Sequence, residues 1–381
     1  MKKFAIVVLS LVLAFGAYLS MGTVDNTVVS APVADAGKSY TGTVYVAGHG
    51  GHFAAANVTV SSSGMKLNNL DMVSIESGDT QHIFHDARID SENSNNMFWT
   101  TYKVDKAASK KAGKNIAHIG MNDLKTGKVV KDMQIVLPDD AKFTGAVYCG
   151  SSQSKKNYMP MTMTKKGFID VFDKKTLKLK HRVYAEDMGF DQNYIFLHGN
   201  ASPDLKTTFV TANGSEKWTD ASKPEFGKRS GVITNLLLDN AALDKGKVKI
   251  LKKGTVTGSK TKTFTFRQDF TPNGKTIVQS GADRVYVLDA KSLKLKRETM
   301  MKDGENHDAI AVPDNRHAVL TLRTKHKKGD KTTVDGALQL YDIKTGKTIG
   351  KPISVCNACH KDQLGEDQAK AVLCGADVNW K

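Results

Sequence analysis

Asp123-Leu124-Lys125-Thr126 and three similar segments decide the fold of this chain. The Asp-x-Lys-Thr/Ser pattern returns as Asp173-Lys174-Lys175-Thr176, Asp289-Ala290-Lys291-Ser292 and Asp342-Ile343-Lys344-Thr345. Short apolar runs such as Ile169–Phe172 lead into the segments, and lysine-rich alternating runs such as Leu177–Arg182 follow them. A strand, a tight polar turn and a second strand make a β-hairpin, so each segment predicts one hairpin.

Two further hairpins complete a long repeat. Leu238-Asp239-Asn240 is a degenerate copy of the turn, and Ser61–Gly64 joins two alternating runs. The six turns lie 50–66 residues apart. A repeat of this length is too long for leucine-rich or ankyrin units and suits a four-stranded propeller blade. We therefore expect an all-β chain that forms a single closed β-propeller of four-stranded antiparallel blades, with six blades favoured over seven.

The first half of each repeat supports this fold. An entry His or Gln followed by a Pro-Asp or Pro-Asn-Gly turn occurs at His198–Asp204, Gln268–Gly274 and His307–Asp314. Such turns would join the two inner strands of a blade. The pattern resembles that of YVTN-type propellers and of the related propeller of haem-d nitrite reductases. The resemblance covers nearly all of the chain and implies the fold. It says little about function, because propellers of this kind include enzymes, carriers and scaffolds.

Closure of the ring requires strands from both ends of the chain. The N-terminal run Thr41–Ala47 should pair in a blade completed by C-terminal Ala369–Cys374. Closure of this kind removes the sheet edges that would otherwise promote aggregation.

The composition limits the class of protein. Of 381 residues, 40% are hydrophobic and 25% charged, which excludes a disordered chain and a polytopic membrane protein. Lys and Arg number 55 against 39 Asp and Glu, a formal net charge of +16, so anionic partners are expected. The basic runs lack interleaved aromatic residues, and we do not expect nucleic acid to be a partner. The composition leaves the oligomeric state open.

The N-terminus predicts export. Lys2 and Lys3 precede the uncharged apolar run Phe4–Leu19, the pattern of a secretory signal. Ala34-Asp35-Ala36 is a candidate cleavage site, with Ser20-Met21-Gly22 and an uncleaved anchor as alternatives. We expect residues 1–36 to be signal peptide and leader, residues 37–381 to be the propeller, and the mature protein to be periplasmic or extracellular, with no membrane span after cleavage.

Cys356-Asn357-Ala358-Cys359-His360 is the strongest chemical motif. Cys-x-x-Cys-His is the signature of c-type haem attachment, in which two thiols bind the haem covalently and the histidine ligates the iron. A zinc knuckle would need a second ligand pair, and only Cys374 follows. We therefore predict one covalent haem c in a loop at residues 353–368, held by Cys356 and Cys359, with His360 as proximal ligand, over the mouth of the channel.

The sixth iron ligand must come from the propeller, because residues 361–381 contain no His or Met. The repeat places several histidines on the face that carries the haem motif. In order of preference the candidates are His52, His49, His85 and His307. An open iron lined by these histidines is the competing expectation.

Lysine-rich loops should share that face. The candidates are Lys103–Lys114, Ser154-Lys155-Lys156 and Lys325–Lys331. Within them Lys110, Lys111, Lys114, Lys325, Lys327 and Lys328 form the expected docking surface for an acidic redox protein or cytochrome.

Three functions remain open at this point. The leading hypothesis is an exported monohaem cytochrome that transfers electrons. The alternatives are a haem enzyme with open iron that acts on a small molecule at the channel mouth, and an interaction scaffold of a redox complex. The chain has no phosphate-binding Gly-rich loop, Gly-x-Ser-x-Gly or His-Glu-x-x-His motif.

Cys149 and Cys374 occur in similar contexts, Val147-Tyr148-Cys149-Gly150 and Val372-Leu373-Cys374-Gly375. The repeat assigns them to separate blades, and we expect the separation to be too large for a disulfide. Both are predicted to be buried thiols, with Cys374 near the haem.

Overall fold

The structure is a computed structural model, and it describes residues 38–48, 52–74, 84–139, 142–190, 193–215, 218–220, 223–224, 229–328, 331–364 and 373–381. The described residues form six four-stranded antiparallel sheets and one two-stranded hairpin. Contacts between the innermost strands close the six sheets into a ring. The expected six-bladed propeller is therefore confirmed.

We number the blades from the one that contains the first strand, and list the strands of each from the channel outward. Blade 1 contains β26 (Leu373–Trp380), β1 (Tyr40–Gly48), β2 (His52–Ser61) and β3 (Gly64–Ser74); blade 2 contains β4 (Phe84–Ile89), β5 (Asn96–Thr101), β6 (Ile116–Asp123) and β7 (Lys128–Val136). Blade 3 contains β8 (Lys142–Gln153), β9 (Asn157–Lys165), β10 (Phe168–Asp173) and β11 (Leu179–Tyr184).

The second half of the ring follows the same order. Blade 4 contains β12 (Tyr194–Ala201), β13 (Thr207–Ser215), β16 (Arg229–Asp239) and β17 (Ile250–Thr257), and β14 (Trp218–Asp220) and β15 (Lys223–Pro224) form the extra hairpin. Blade 5 contains β18 (Gln268–Phe270), β19 (Thr276–Ser280), β20 (Arg284–Asp289) and β21 (Leu295–Met300), and blade 6 contains β22 (Glu305–Ala311), β23 (His317–Lys328), β24 (Lys331–Asp342) and β25 (Lys347–Ser354). The short helices are α1 (Lys106–Ala112), α2 (Asn240–Leu243), α3 (Cys356–Leu364) and a 3₁₀ turn at Ala185–Met188.

The C-terminal strand closes the ring, as expected, but its bounds differ from those that the sequence suggested. Strand β26 spans Leu373–Trp380 instead of Ala369–Cys374 and pairs antiparallel with β1, from Gly42 opposite Trp380 to Gly48 opposite Leu373. The pairing is irregular after Leu373, where Cys374 and Gly375 lie opposite the single residue Ala47.

Apolar residues pack between neighbouring blades, and each strand alternates between the two interfaces. Trp99 and Met97 of β5 face blade 1, whereas Phe98 packs against blade 3 and stacks on Tyr158 with ring centroids 4.9 Å apart. Such alternation follows from the two-residue period of a strand. The core is thus a set of interfaces between blades.

The four Asp-x-Lys-Thr/Ser segments lie in turns between the third and fourth strands of blades 2, 3, 5 and 6, as predicted. The first residue stabilises each turn: the Asp123 carboxylate, for example, accepts hydrogen bonds from the backbone N–H groups of Lys125 and Thr126, both at 2.9 Å. Aspartate recurs there because its short side chain can accept both bonds.

We call the upper face the end of the propeller that carries the connections between blades and the loops between second and third strands. Residues 102–115, including α1, lie there, as predicted. The prediction for Ser154-Lys155-Lys156 was wrong: these residues form the turn between the first two strands of blade 3, on the lower face. Lys325–Lys328 end strand β23 at the upper face instead of forming a loop.

Candidate functional site

Five of the six innermost strands share one irregularity next to the channel. The pairing of the innermost strand with its neighbour shifts at His85 in blade 2, Cys149 in blade 3, Leu197 in blade 4 and His307 in blade 6. The same irregularity occurs at Cys374-Gly375 in blade 1. Bulges of this kind redirect side chains and are frequent beside functional sites. The upper end of the channel is the first candidate site.

Arg267 of blade 5 crosses the channel just below the bulges. Its Nη1 atom lies 2.7 Å from Asp86 Oδ1 in the opposite blade 2, and its Nε lies 3.4 Å from Asp308 Oδ1 in blade 6. Nη2 donates to the carbonyl oxygen of Cys149 at 2.7 Å. A Cβ at Gly375 would overlap the guanidinium, so glycine in blade 1 makes this path possible.

A second arginine spans the channel nearer the lower face. Arg88 donates from Nη1 to Asn200 Oδ1 at 3.0 Å and from Nη2 to the carbonyl oxygen of Ser151 at 3.0 Å. It also lies 3.5 Å from Asp377 Oδ2. Asn200 in turn donates to Asp269 Oδ1 at 2.7 Å. The two arginines therefore bind all six blades to one another through the channel.

A small cavity lies within the channel. Residues including Arg88, Arg267, Asp269 and Asp377 enclose a cavity of about 10 Å³, which is room for one water molecule. Burial raises the pKa of Asp269 to about 7, with the Asp377 charge acting in the same direction and the N–H of Ala311 opposing it. The cavity is thus lined mainly by charged and polar side chains.

A thiol and two imidazoles lie near Arg267. Cys149 Sγ is 3.8 Å from His198 Nε2, and the His307 ring stacks on Phe266 with centroids 4.2 Å apart. His307 Nδ1 lies 3.0 Å from Asp308 Oδ2. Burial lowers the pKa of both histidines, that of His198 well below its usual range, and the Arg267 charge adds to the effect. Both imidazoles are therefore neutral at pH 7.

The Cys-x-x-Cys-His motif lies in α3, on the upper face between blades 6 and 1, and is helical where a loop was expected. The buried Asp335 carboxylate of β24 accepts the N–H of Asn357 at 3.0 Å, which satisfies one N–H group at the start of the helix. Cys359 is 1% exposed and Cys356 partly buried, and both pack into the apolar cluster between blades 6 and 1. A spacing of three residues places both thiols on one side of a helix.

His52 lies on the same side of blade 1 as this cluster. It begins β2 opposite Ser74, and the next residues on that face, Ala54 and its partner Met72, pack in the cluster that contains Cys359. Phe53 and Ala55 face blade 2 instead. Met72 is a thioether donor that the sequence analysis did not consider, since only pairing with Ala54 reveals its face.

The other candidate ligands have different positions. His49 lies outside the described residues, and His85 lies in β4 with its side chain outside them. His307 is buried in the channel wall as described above. His360 is the fifth residue of α3, and its side chain is also outside the described residues.

The predicted docking lysines lie on the upper face. Asp105 accepts the Ala108 N–H at 2.9 Å and starts α1, and Gly113 ends it in the left-handed conformation. This short helix exposes Lys110 and Lys111, and Lys114 follows, also exposed. Lys325 of β23 is exposed, and the side chains of Lys327 and Lys328 lie outside the described residues.

His118 of blade 2 connects α1 to that blade through hydrogen bonds to two carboxylates. Its ring nitrogens lie 2.8 Å from Asp132 Oδ1 and 3.0 Å from Asp105 Oδ2. Burial disfavours the imidazolium, but the two carboxylates outweigh burial and raise the pKa of His118.

Within the part of the chain that the structure describes, no three His, Cys, Asp or Glu side chains are grouped closely enough to hold a metal ion. Over the same residues, no helix has the length and apolar character needed to cross a bilayer.

Comparison with known proteins supports the fold alone. No protein-family model matches the sequence, and the comparison with curated proteins gives no match. The chain is similar to one chain of a solved structure described as the crystal structure of a nidogen/laminin complex, with a TM-score of 0.50 and 11% identity over 90% of this chain and 98% of that chain. A similarity at this identity indicates a shared β-propeller architecture and no shared function.

Proposed function

We propose that the protein is an exported monohaem c-type cytochrome that transfers electrons to or from an acidic redox protein. The observation that carries the proposal is the Cys356-Asn357-Ala358-Cys359-His360 motif on a helix at the upper face. The signal-like N-terminus supports it, because an export signal fits a cofactor attached outside the cytoplasm. The resemblance to YVTN-type and haem-d nitrite-reductase propellers remains part of the proposal.

The surroundings of the motif fit a haem. Cys356 and Cys359 would bind the vinyl groups, and His360 would ligate the iron. The thiols border the apolar cluster that contains Ile310 and Val355, and a macrocycle needs apolar surroundings of this kind. A haem held in this way supplies a one-electron couple whose potential depends on the axial ligands.

His52 is our first candidate for the second axial ligand. It shares the face of blade 1 with Ala54 and Met72, next to the cluster around Cys359. A His–His pair favours a lower potential than a His–Met pair, so a choice between His52 and Met72 would set the potential of the carrier.

The basic loop supports a protein partner. Lys110, Lys111 and Lys114 are exposed on the face that carries the motif. Like the net charge of +16, they favour association with an acidic surface.

Replacement of Cys356 and Cys359 by Ala tests the proposal. We expect haem staining after denaturing electrophoresis in the wild type and none in the double variant. Cys149→Ala is the matched control, since Cys149 lies in blade 3 outside the motif, and it should keep the stain. Covalent haem in the double variant, or none in wild type matured with a haem-attachment system, would refute the assignment.

An open-iron haem enzyme is the second candidate. The spectrum of the purified holoprotein distinguishes the two functions. A low-spin ferric spectrum that does not change when cyanide or nitrite is added supports electron transfer. A high-spin iron that binds these ligands tightly supports the enzyme. The third candidate, an interaction scaffold of a redox complex, would still bind its partner after removal of the haem.

A further inference from the structure

We propose that the lower face of the propeller is a docking surface for an anionic phospholipid bilayer. This face lies opposite the one that carries the Cys-x-x-Cys-His motif, and its role does not depend on a haem. Binding through the lower face would leave α3 and the rest of the upper face open to a redox partner.

The exposed charge of the lower face is almost entirely positive. Its turns, between the first and second and between the third and fourth strands of the blades, are residues 62–63, 90–95, 124–127, 154–156, 174–178, 202–206, 240–249, 271–275, 290–294, 312–316 and 343–346. The structure describes all of these turns, and their thirteen exposed lysines are Lys125, Lys155, Lys156, Lys175, Lys178, Lys206, Lys245, Lys247, Lys249, Lys275, Lys291, Lys294 and Lys344. The exposed acidic residues of the same described turns are Glu92 and Asp204.

Few carboxylates neutralise these lysines. Of the thirteen, only Lys206 and Lys249 form ion pairs with described residues, at 3.8 and 3.1 Å. The aspartates that begin the turns direct their carboxylates at the backbone. Asp173, for example, accepts the N–H groups of Lys175 and Thr176 at 3.1 and 2.9 Å. The other lysines are therefore available to an anionic partner.

The blade repeat places lysines at equivalent positions around the ring. In blades 2, 3, 5 and 6, lysines lie two and five residues after the aspartate that begins the outer turn. These exposed pairs are Lys125 and Lys128, Lys175 and Lys178, Lys291 and Lys294, and Lys344 and Lys347. Lys155, Lys156 and Lys275 add charge nearer the channel, in the inner turns of blades 3 and 5. A planar array of anionic headgroups contacts more of this surface than one linear polymer does.

Exposed apolar side chains accompany the lysines at the rim. Leu179, Ile250 and Leu295 each begin an outermost strand directly after a turn lysine, and they are 41%, 42% and 45% exposed. A bilayer interface accommodates both kinds of side chain, because its phosphates attract ammonium groups and its acyl boundary takes up apolar groups. An acidic polysaccharide offers no apolar layer, so the combination favours a lipid surface.

The chain also enters the propeller at this face. Tyr40, the first residue of β1, pairs with Val60, which lies next to the lower-face turn of blade 1. The apolar run Phe4–Leu19, which the sequence predicts to enter a membrane during export, precedes this strand. The segment that meets the bilayer during export is therefore joined to the propeller at its lower face.

Co-sedimentation with lipid vesicles tests the docking surface. We expect the purified exported protein to bind vesicles of equal parts phosphatidylglycerol and phosphatidylcholine. Binding to vesicles of phosphatidylcholine alone should be about tenfold weaker, because these carry no net negative charge. Affinity for the anionic vesicles should also fall about tenfold when the salt rises from about 0.05 M to about 0.5 M, since salt screens the attraction.

Two matched triple variants locate the surface. Lys175→Glu/Lys247→Glu/Lys291→Glu reverses three charges in the outer turns of blades 3, 4 and 5. The control reverses the same number of charges on the upper face, at Lys110, Lys111 and Lys114. Because the net charge changes equally, the lower-face variant should lose about tenfold in vesicle affinity and the control much less. Circular dichroism of both variants establishes folding.

Three results would overturn the proposal. The first is an equal loss of affinity in the two triple variants, which would show that net charge alone drives binding. The second is equal binding to neutral and anionic vesicles. The third is tight binding to a soluble acidic polysaccharide such as alginate, with none to anionic vesicles. Cys356→Ala/Cys359→Ala should bind vesicles as the wild type does, so failure here leaves the cytochrome proposal standing.

Discussion

Arg267 in blade 5 forms an ion pair with Asp86 in the opposite blade 2, with 2.7 Å between Nη1 and Oδ1. Both side chains are at most 4% exposed. The same guanidinium bonds to the Cys149 carbonyl oxygen in blade 3 and lies near Asp308 in blade 6. One side chain thus connects blades that share no strand pairing.

Arg267→Met should destabilise the protein strongly. The variant leaves Asp86 and Asp308 buried without their cation, and breaking a buried pair in this way costs about 3–5 kcal/mol. Urea unfolding followed by circular dichroism measures the loss. Lys206→Met is the control, because the Lys206–Asp204 pair is exposed and its removal should change stability little. An equal loss of unfolding free energy in the two variants would show that the ion pairs of Arg267 do not stabilise the propeller.

His52→Ala should convert a low-spin ferric haem to high spin. His52 lies on the blade-1 face beside the cluster of Cys359, so its loss would open one axial position. His181→Ala, in outer strand β11, is the control and should leave the spectrum unchanged. Paramagnetic resonance of both variants is the measurement. If Met72→Ala gives the conversion and His52→Ala does not, the thioether is the ligand and our first choice is wrong.

The interaction of His118 with Asp105 and Asp132, which holds α1 against blade 2, should weaken as the pH rises. The pKa of His118 is raised in the folded protein, so its contribution to stability is complete below its unfolded pKa of about 6.5 and is lost as the pH passes the folded value. The wild type should therefore lose melting temperature relative to His118→Gln on going from acidic to alkaline buffer. Thermal unfolding across this range provides the comparison, and parallel profiles for the two proteins would contradict the argument.

Charge reversal on the upper face should slow electron exchange. Replacement of Lys110, Lys111 and Lys114 by Glu places negative charge where an acidic cytochrome would dock, and the effect should shrink in high salt. Lys155→Glu/Lys156→Glu is the matched control, since these exposed lysines lie on the lower face. If stopped-flow rates of electron exchange fall equally in the upper-face and lower-face variants, the partner does not dock specifically on the upper face.

The sequence by itself predicted the propeller and favoured six blades over seven. The turns at Asp123, Asp173, Asp289 and Asp342 could be predicted because the interactions that form them are local. Each carboxylate accepts the N–H three residues ahead, and those of Asp123, Asp173 and Asp342 also accept the N–H two residues ahead. The Cys-x-x-Cys-His motif could be recognised from sequence in the same way, because the haem attachment that we propose depends on three residues within five positions.

Only the tertiary structure decided which distant residues share a space. Arg267 contacts residues of several blades, and its partners Asp86 and Cys149 lie more than a hundred residues away along the chain. No local sequence pattern predicts these contacts. The face of Met72 follows from its pairing with Ala54, and the place of Lys155 and Lys156 from the length of the inner strands of blade 3. Turns are encoded by neighbours along the chain, whereas the channel arises where innermost strands from every part of it converge.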